Sequence, residues 1–406
     1  TRLQNGVLWG YDTMLIKNDR TTLASLLKRN GYRTGCIGKW HLGLNWQKDA
    51  QGRFDFFQPI ANGPLQVGFN YFYGIPASLD MQPYFYIENN RVTATAADST
   101  GGSTGKAFWR AGPAGNDFKH ETVLENLTEK AVAYISAEAK SGNPFFLYFA
   151  LTSPHTPILP AATHQGQSGT NAYGDFVLMT DAMIGRVLDA VKAAGIEQNT
   201  IIVFTSDNGC SPSADFKALA AAGHYPGYIY RGAKADIFEG GHRIPFIIRW
   251  PEKIKAGTAS HATVCLTDFM ATLADILQQP LKDNEGEDSF SLLPLLLQKK
   301  GYTRTSIIHH SIDGNFSIRK KNWKLVFARG SGGWSAPTEK AAKAQNLPSI
   351  QLYNLKTDPG EINNVAAAHP PVVKALTQLL NTTIENGRSS KGEKQNNDVV
   401  VNNRQP

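Results

Sequence analysis

Leu23, Leu26 and Leu27 share one face of a helix expected over about 19–30, and Gly31 follows where a left-handed terminal residue belongs. A short strand is expected over 34–37. Leu124, Leu127, Ala131 and Ile135 recur at helical spacing over 121–140. Pro144 breaks that segment, and residues 145–151 form an unbroken apolar run. The same alternation returns twice. Phe176, Met179, Met183, Val187 and Val191 line one helix face over 175–194, Gly195 stops it, and apolar runs follow at 201–204 and 246–248. A helix followed by a short run without polar alternation indicates crossover units on a mostly parallel sheet, with strands buried on both faces. The fold class expected is therefore α/β.

After about residue 300 the period changes. Segments 305–311, 315–319 and 323–328 are short and separated by Asp313-Gly314 and Lys321-Asn322, which predicts an antiparallel meander. A closing helix is expected over 371–385. The resulting division is a core over 1–298, a C-terminal subdomain over 299–387 and a polar tail over 388–406.

The 406 residues are 41% hydrophobic and 18% charged, enough to build a core and too apolar for disorder. No apolar stretch approaches the roughly 20 residues of a membrane helix. Cys36, Cys210 and Cys265 show no CxxC spacing, which argues against a disulfide scaffold or a zinc ribbon. The net charge of +7 equals the excess within residues 299–330, where eight basic residues face Asp313 alone. A solvated sheet face is the plainer reading; attraction for an anionic partner such as a sulfated glycan is the sharper one. The stretch lacks interleaved aromatics, so nucleic acid is not expected.

Polar clusters directly follow three of the strands. The strand at 34–37 leads into Gly38-Lys39-Trp40-His41, the run at 145–151 into Thr152-Ser-Pro-His155, and the run at 201–204 into Thr205-Ser-Asp207-Asn208-Gly209. Ligands of open parallel sheets bind beyond the carboxyl ends of the strands, so Lys39, His41, His155, Asp207 and Asn208 are expected to converge. Asp207 and Asn208 offer oxygen donors suited to Ca²⁺ or Mg²⁺, although two are too few for the roughly 6–8 that Ca²⁺ takes. Lys39 is a point charge for a tetrahedral anion, and the histidines can move protons near neutral pH. Each feature alone has a plainer reading. Asp-Asn-Gly is a common turn, Lys-x-His a common surface sequence, and His155 sits between two prolines.

Taken together the motifs are specific. Gly31-Tyr-Arg-Thr-Gly-Cys-Ile-Gly-Lys-Trp-His-Leu-Gly43 resembles the second signature of the type I, formylglycine-dependent sulfatases. Thr205-Ser-Asp-Asn-Gly209 resembles their metal-binding strand end. Tyr230-Arg-Gly-Ala-Lys234 with Glu239-Gly-Gly-His-Arg-Ile-Pro245 resembles their lysine loop, and Leu352-Tyr-Asn-Leu-Lys-Thr-Asp-Pro-Gly-Glu361 their closing motif. The resemblance runs in family order from about residue 20 to 365. It implies an alkaline-phosphatase-like α/β/α core and a small C-terminal antiparallel α+β subdomain. It further implies Ca²⁺, with Mg²⁺ as the other option, on Asp207 and Asn208. Lys39 and Lys234 would grip sulfate, His155 would protonate the leaving oxygen, and His41 would help eliminate sulfate from a covalent intermediate. His224 and His242 are weighed evenly between substrate contact and loop structure, while the pair His309-His310 reads as structural. The implied reaction is hydrolysis of a sulfated carbohydrate or aryl sulfate by a formylglycine made by the formylglycine-generating enzyme, in a periplasmic or secreted protein.

Two features depart from that pattern. The nucleophile motif is C/S-x-P/A-x-R, and no cysteine or serine here fits it; Cys210-Ser-Pro-Ser-Ala214 carries Ala214 in place of arginine. The Asp-Asp pair expected on a first strand is also absent. The expectation is a chain whose front is missing, inactive and poorly soluble alone, with an open strand edge or apolar groove near Lys39 and Asp207. A non-catalytic glycan-binding relative and a phosphatase or phosphodiesterase of the same superfamily are the alternatives. Loops 44–75, 80–117 and 158–173 are expected to face substrate. Aromatics such as those of Met81-Gln-Pro-Tyr-Phe-Tyr86 suit sugar faces, and ordinary packing is slightly favoured for them.

Overall fold

Thr22 starts the helix Leu23–Arg29 because its hydroxyl accepts the Ser25 N–H at 3.0 Å while the Ser25 hydroxyl accepts the Thr22 N–H at 2.9 Å. Gly31 ends it at φ +85°, as its position suggests. The structure is a computed structural model that describes residues 8–397 and 400–401. The chain packs as two units. One is formed from Val7–Asn199 with Ser213–His224, the other from Thr200–Pro212 with the chain from Tyr225 onward.

In the first unit, β1 (Arg33–Lys39), β2 (Tyr71–Ile75), β3 (Ile87–Glu88), β4 (Arg91–Val92) and β7 (Phe145–Ala150) form one sheet in the order β4-β3-β2-β1-β7. The hairpin β5 (Ala97–Thr100) and β6 (Gly112–Gly115) stands apart from it. β1 runs parallel to both β2 and β7, whereas β2, β3 and β4 pair antiparallel. β1 is buried from Thr34 to Gly38, as expected of a central strand. Glycine is required at its end. Gly38 has φ +121°, and a Cβ there would lie 2.0 Å from the Ala150 carbonyl oxygen on β7. The helix Val123–Ser141 buries Val123, Leu127, Ala131 and Tyr134 against Ile37, Tyr73 and Ile75. The helix Ala172–Ala193 adds Phe176, Met179 and Met183 to a cluster with Leu124 and Ile158. Tyr84, Phe85 and Tyr86 are buried in the core, so that aromatic run serves packing.

In the second unit, β8 (Ile202–Thr205) pairs antiparallel with β9 (Phe246–Arg249). The two apolar runs were expected as parallel strands covered on both faces. They are instead partly open, with Ile247 61% exposed. An apolar run reads the same in either direction, so strand polarity is not encoded in it. The C-terminal meander is present as β10 (Ser306–His310), β11 (Phe316–Lys320) and β12 (Trp323–Val326), and β13 (Gln351–Asn354) extends it. The helix Pro370–Asn386 covers it, packing Leu376 and Leu380 on Ile318, Leu325 and Leu352.

The basic stretch 299–330 is not a solvated face throughout. Lys324 has a fully buried side chain 2.8 Å from Glu361 and 3.1 Å from Glu239, and Arg319 reaches Glu239 at 3.4 Å. Arg304 is buried 2.5 Å from the buried Asp268. Their acidic partners lie outside the stretch, which is why its local charge excess misled.

Candidate active site

The first unit carries one group of the expected residues. Lys39 is the last residue of β1, and the next strands' ends lie beside it: Ile75 is its register partner on β2, and Gly38 faces Ala150 on β7. His41 follows at φ +54° and donates its Nε2 proton to the Leu8 carbonyl at 2.7 Å. His155 follows β7. Its Nδ1 lies 2.7 Å from the Thr156 carbonyl, which can only accept, so Nδ1 carries a proton. The parallel pairing of β1 and β7 thus brings Lys39, His41 and His155 to one end of one sheet.

Two partners of His155 were missed in the sequence. Ser78 Oγ lies 3.3 Å from its Nδ1, and the carboxylate of Asp80 interacts with it electrostatically. Burial works against the Asp80 charge, but the Ser78 hydroxyl, the Arg110 guanidinium at 2.6 Å and His155 outweigh it and hold the carboxyl below its usual range. The signal was available. Residues 71–75 are an apolar run, and Ala77-Ser78-Leu79-Asp80 follows it as a polar cluster follows each of the other runs. The exposed His224 lies just past the helix Phe216–Ala221, with its backbone N–H on the Leu219 carbonyl at 2.9 Å.

The second unit carries the other group. Asp207 and Asn208 follow β8 in a turn held by the Ser206 hydroxyl, which donates to the Asn208 carbonyl at 2.7 Å. Three backbone features stitch this turn to the lysine loop. The Gly209 N–H donates to the Gly241 carbonyl at 3.0 Å, and the Lys234 N–H donates to the Cys210 carbonyl at 2.9 Å. A Cβ on Gly209 would meet the Gly240 carbonyl oxygen at 1.8 Å, so only glycine allows the approach. Asp207, Asn208 and His242 line a cavity of about 300 Å³ together with Ala235, Gly241, His310, Ser311 and Ile312. Lys234 immediately precedes the lining residue Ala235 in the chain.

Two buried polar atoms at this cavity lack a hydrogen-bond partner, Oδ1 of Asn208 and Nε2 of His242. A buried orphan oxygen beside a carboxylate fits a hard cation. Among the described residues no group of three or more His, Cys, Asp or Glu side chains is disposed to hold a metal, and Asp207 and Asn208 offer two oxygen donors alone. His242 stacks 4.0 Å from His309. Burial, then the Lys324 charge, pushes its pKa down to about 4, so the ring is neutral at pH 7.

Comparison with known proteins points one way. The family model described as Sulfatase matches residues 10–279. An N-acetylgalactosamine-6-O-sulfatase of Bacteroides thetaiotaomicron is 32% identical, over 92% of this chain and 79% of its own length. Human arylsulfatase A is 30% identical, over 89% of this chain and 70% of its own. A solved Bacteroides thetaiotaomicron structure, described under the metabolism of multiple glycosaminoglycans, superposes with a TM-score of 0.80 at 31% identity, covering 93% of this chain and 84% of that one.

Proposed function

The chain belongs to the sulfatase family, with its alkaline-phosphatase-like α/β fold, and from that membership we propose that it binds and cleaves a sulfated carbohydrate, with Lys39, His41 and His155 of the first unit and Asp207, Asn208 and Lys234 of the second as the residues concerned. Sulfuric ester hydrolysis is the family's reaction. The observation that best supports this site is the backbone stitching of the Asp207-Asn208 turn to the loop of Lys234, which brings the chain segment of a cationic residue to that of two hard oxygen donors. A sulfate ester needs that combination: positive charge on its oxygens and a cation to polarise it.

In this reading Asp207 and Asn208 hold Ca²⁺ or Mg²⁺, which supplies Lewis-acid charge stabilisation when bound. Lys39 and Lys234 neutralise charge on the transferring group. His155, with Nδ1–H fixed on the Thr156 carbonyl, delivers a proton from Nε2 to the leaving oxygen. His41, fixed through Nε2, takes a proton at Nδ1. His224 and His242 remain candidates for substrate contact. The covalent step falls to a formylglycine installed by the formylglycine-generating enzyme; none of these 406 residues is assigned to it. Sulfated carbohydrate is preferred to aryl sulfate because the most similar relative named above acts on an N-acetylgalactosamine 6-sulfate. A periplasmic or secreted location accompanies this reading. No helix among the described residues is long and apolar enough to cross a membrane.

The second reading is a relative that binds a sulfated glycan without turnover. Calorimetric titration with inorganic sulfate and with N-acetylgalactosamine 6-sulfate tests the site under either reading. Lys39→Ala and Lys234→Ala are each expected to weaken both by about tenfold or more. Undiminished binding in both variants would refute the assignment.

A further inference from the structure

The loop 330–335 is rich in glycine and serine, yet it is firmly held. The fully buried Asp236 accepts the Trp334 N–H at 2.8 Å and the Ser335 N–H at 3.0 Å on one carboxylate oxygen, and the Ala233 N–H at 2.7 Å and the Ser335 hydroxyl on the other. Glu339 accepts the Gly330 and Gly332 N–H groups at 2.7 and 3.2 Å. The Ser331 hydroxyl donates to the Ser335 carbonyl at 2.7 Å. Gly333 lies so close to Ala235 that a Cβ would be 2.5 Å from its carbonyl oxygen. Ala235 lines the cavity with Asp207, Asn208 and His242, and the same carbonyl accepts the N–H of Ile312, another lining residue.

This scaffold carries one large apolar side chain. Trp334 is 51% exposed. Folding gains by burying an indole, and a glycine-rich loop has the freedom to tuck one away. Here Asp236, two residues after Lys234, fixes the backbone so that the ring stays out. A rigid exposed indole offers broad apolar contact with little ordering entropy left to lose. The C–H face of a pyranose ring is the complementary surface, being flat, weakly apolar and rimmed by hydroxyls that remain in water.

Resting on the carbohydrate-sulfate reading above, we propose that Trp334 is a specificity residue: it stacks on the sugar ring of the sulfated unit whose sulfate is held at Lys234, and it makes the protein favour a sulfated pyranose over the sulfate group alone. Tyr228 provides the contrast. It is more exposed, at 72%, but it sits in a turn of local hydrogen bonds, without a buried carboxylate tying it to the lysine loop.

The test is calorimetric titration of the 406-residue protein with N-acetylgalactosamine 6-sulfate and with inorganic sulfate. Trp334→Ala is expected to weaken the sugar sulfate about tenfold and leave inorganic sulfate unchanged, while Trp334→Phe retains most of the sugar affinity. Unchanged sugar affinity in Trp334→Ala, with inorganic sulfate still bound, overturns the platform and leaves the site assignment standing. Loss of sugar preference in Tyr228→Ala but not in Trp334→Ala overturns it as well. If the unaltered protein binds neither anion, the site reading fails and the platform with it.

Discussion

Replacing Lys324 by methionine removes the cation from a cluster that water does not reach. The ammonium lies 2.8 Å from Glu361 and 3.1 Å from Glu239, and the side chains of Lys324 and Glu361 have no exposed surface. The carboxylates are not equivalent. Glu239 keeps Arg243 at 2.9 Å and Arg319 at 3.4 Å. Burial opposes its charge, but Lys324, Arg319 and Arg243 overcome it and hold its pKa down to about 2. Glu361 has only Lys324 and the Glu239 N–H at 2.6 Å, so burial dominates and its pKa is raised. Without the lysine, Glu361 is a buried carboxylate facing a second carboxylate. Breaking such a pair from one side costs about 3–5 kcal/mol.

The pH dependence fixes the sign. Glu239, with a depressed pKa, contributes stability that is present above its unfolded value and lost as pH falls toward 2. Glu361, with a raised pKa, contributes most below its unfolded value and loses that contribution as pH rises through the folded one. Lys324→Met raises both carboxyl pKa values, so the variant's deficit is largest near pH 7 and shrinks toward about pH 5. Urea unfolding at the two pH values measures it. Adding Glu361→Gln to Lys324→Met removes the stranded charge and is expected to regain about 2 kcal/mol. A loss below about 1 kcal/mol, the level of an exposed pair, would refute the reasoning. So would a deficit that does not change with pH.

Three further outcomes follow from the same structure. Gly38→Ala adds a clash 2.0 Å from the Ala150 carbonyl to a φ of +121°, so it should cost at least about 2 kcal/mol; Gly31→Ala, at φ +85° in open space, should cost about 1–2 kcal/mol by the same urea measurement. Arg304→Met strands the buried Asp268 and should lower stability by about 3–5 kcal/mol, with Asp268→Asn in the same chain recovering part of it. If Asp207 and Asn208 hold Ca²⁺, calcium at about 100 times its dissociation constant adds about 2.7 kcal/mol to unfolding, and Asp207→Ala with Asn208→Leu abolishes the increment.

The elements were legible wherever one periodicity ran long enough. The helices at 121–140 and 175–194 appear as Val123–Ser141 and Ala172–Ala193, and the 3.6-residue stripe of Leu124, Leu127, Ala131 and Ile135 is buried. Strand direction was not legible, because β8 and β9 have the same apolar composition whichever way they pair. Side chains at strand ends were legible by type: Lys39 closes β1, and His155, Asp207 and Asn208 follow β7 and β8. Asp80 escaped because the Tyr71–Ile75 strand behind it was not recognised. Trp334 escaped because a tryptophan in a glycine-serine loop is exposed or buried according to a carboxylate 98 positions away.

Charge was the least legible property, and the reason reaches back to the site. The excess over 299–330 is real as composition, but Lys324 and Arg319 take their partners from Glu239 and Glu361, which are separated from each other by 122 positions. Those two acids open and close the motifs Glu239-Gly-Gly-His242 and Leu352-Tyr-Asn-Leu-Lys-Thr-Asp-Pro-Gly-Glu361. In the sequence they look like independent signatures. In the fold they are one buried ionic cluster with a lysine of β12 at its centre. Glu239 begins the short helix that ends at His242, and Gly240 and Gly241 hold the Asp207-Asn208 turn from beneath. The C-terminal sheet is therefore coupled to the Asp207-Asn208 turn through three consecutive residues. A substitution at Lys324 should loosen that turn before it unfolds the sheet, because the turn meets Gly240 and Gly241 through backbone contacts while the sheet retains its own core of Ile318, Leu325 and Leu352.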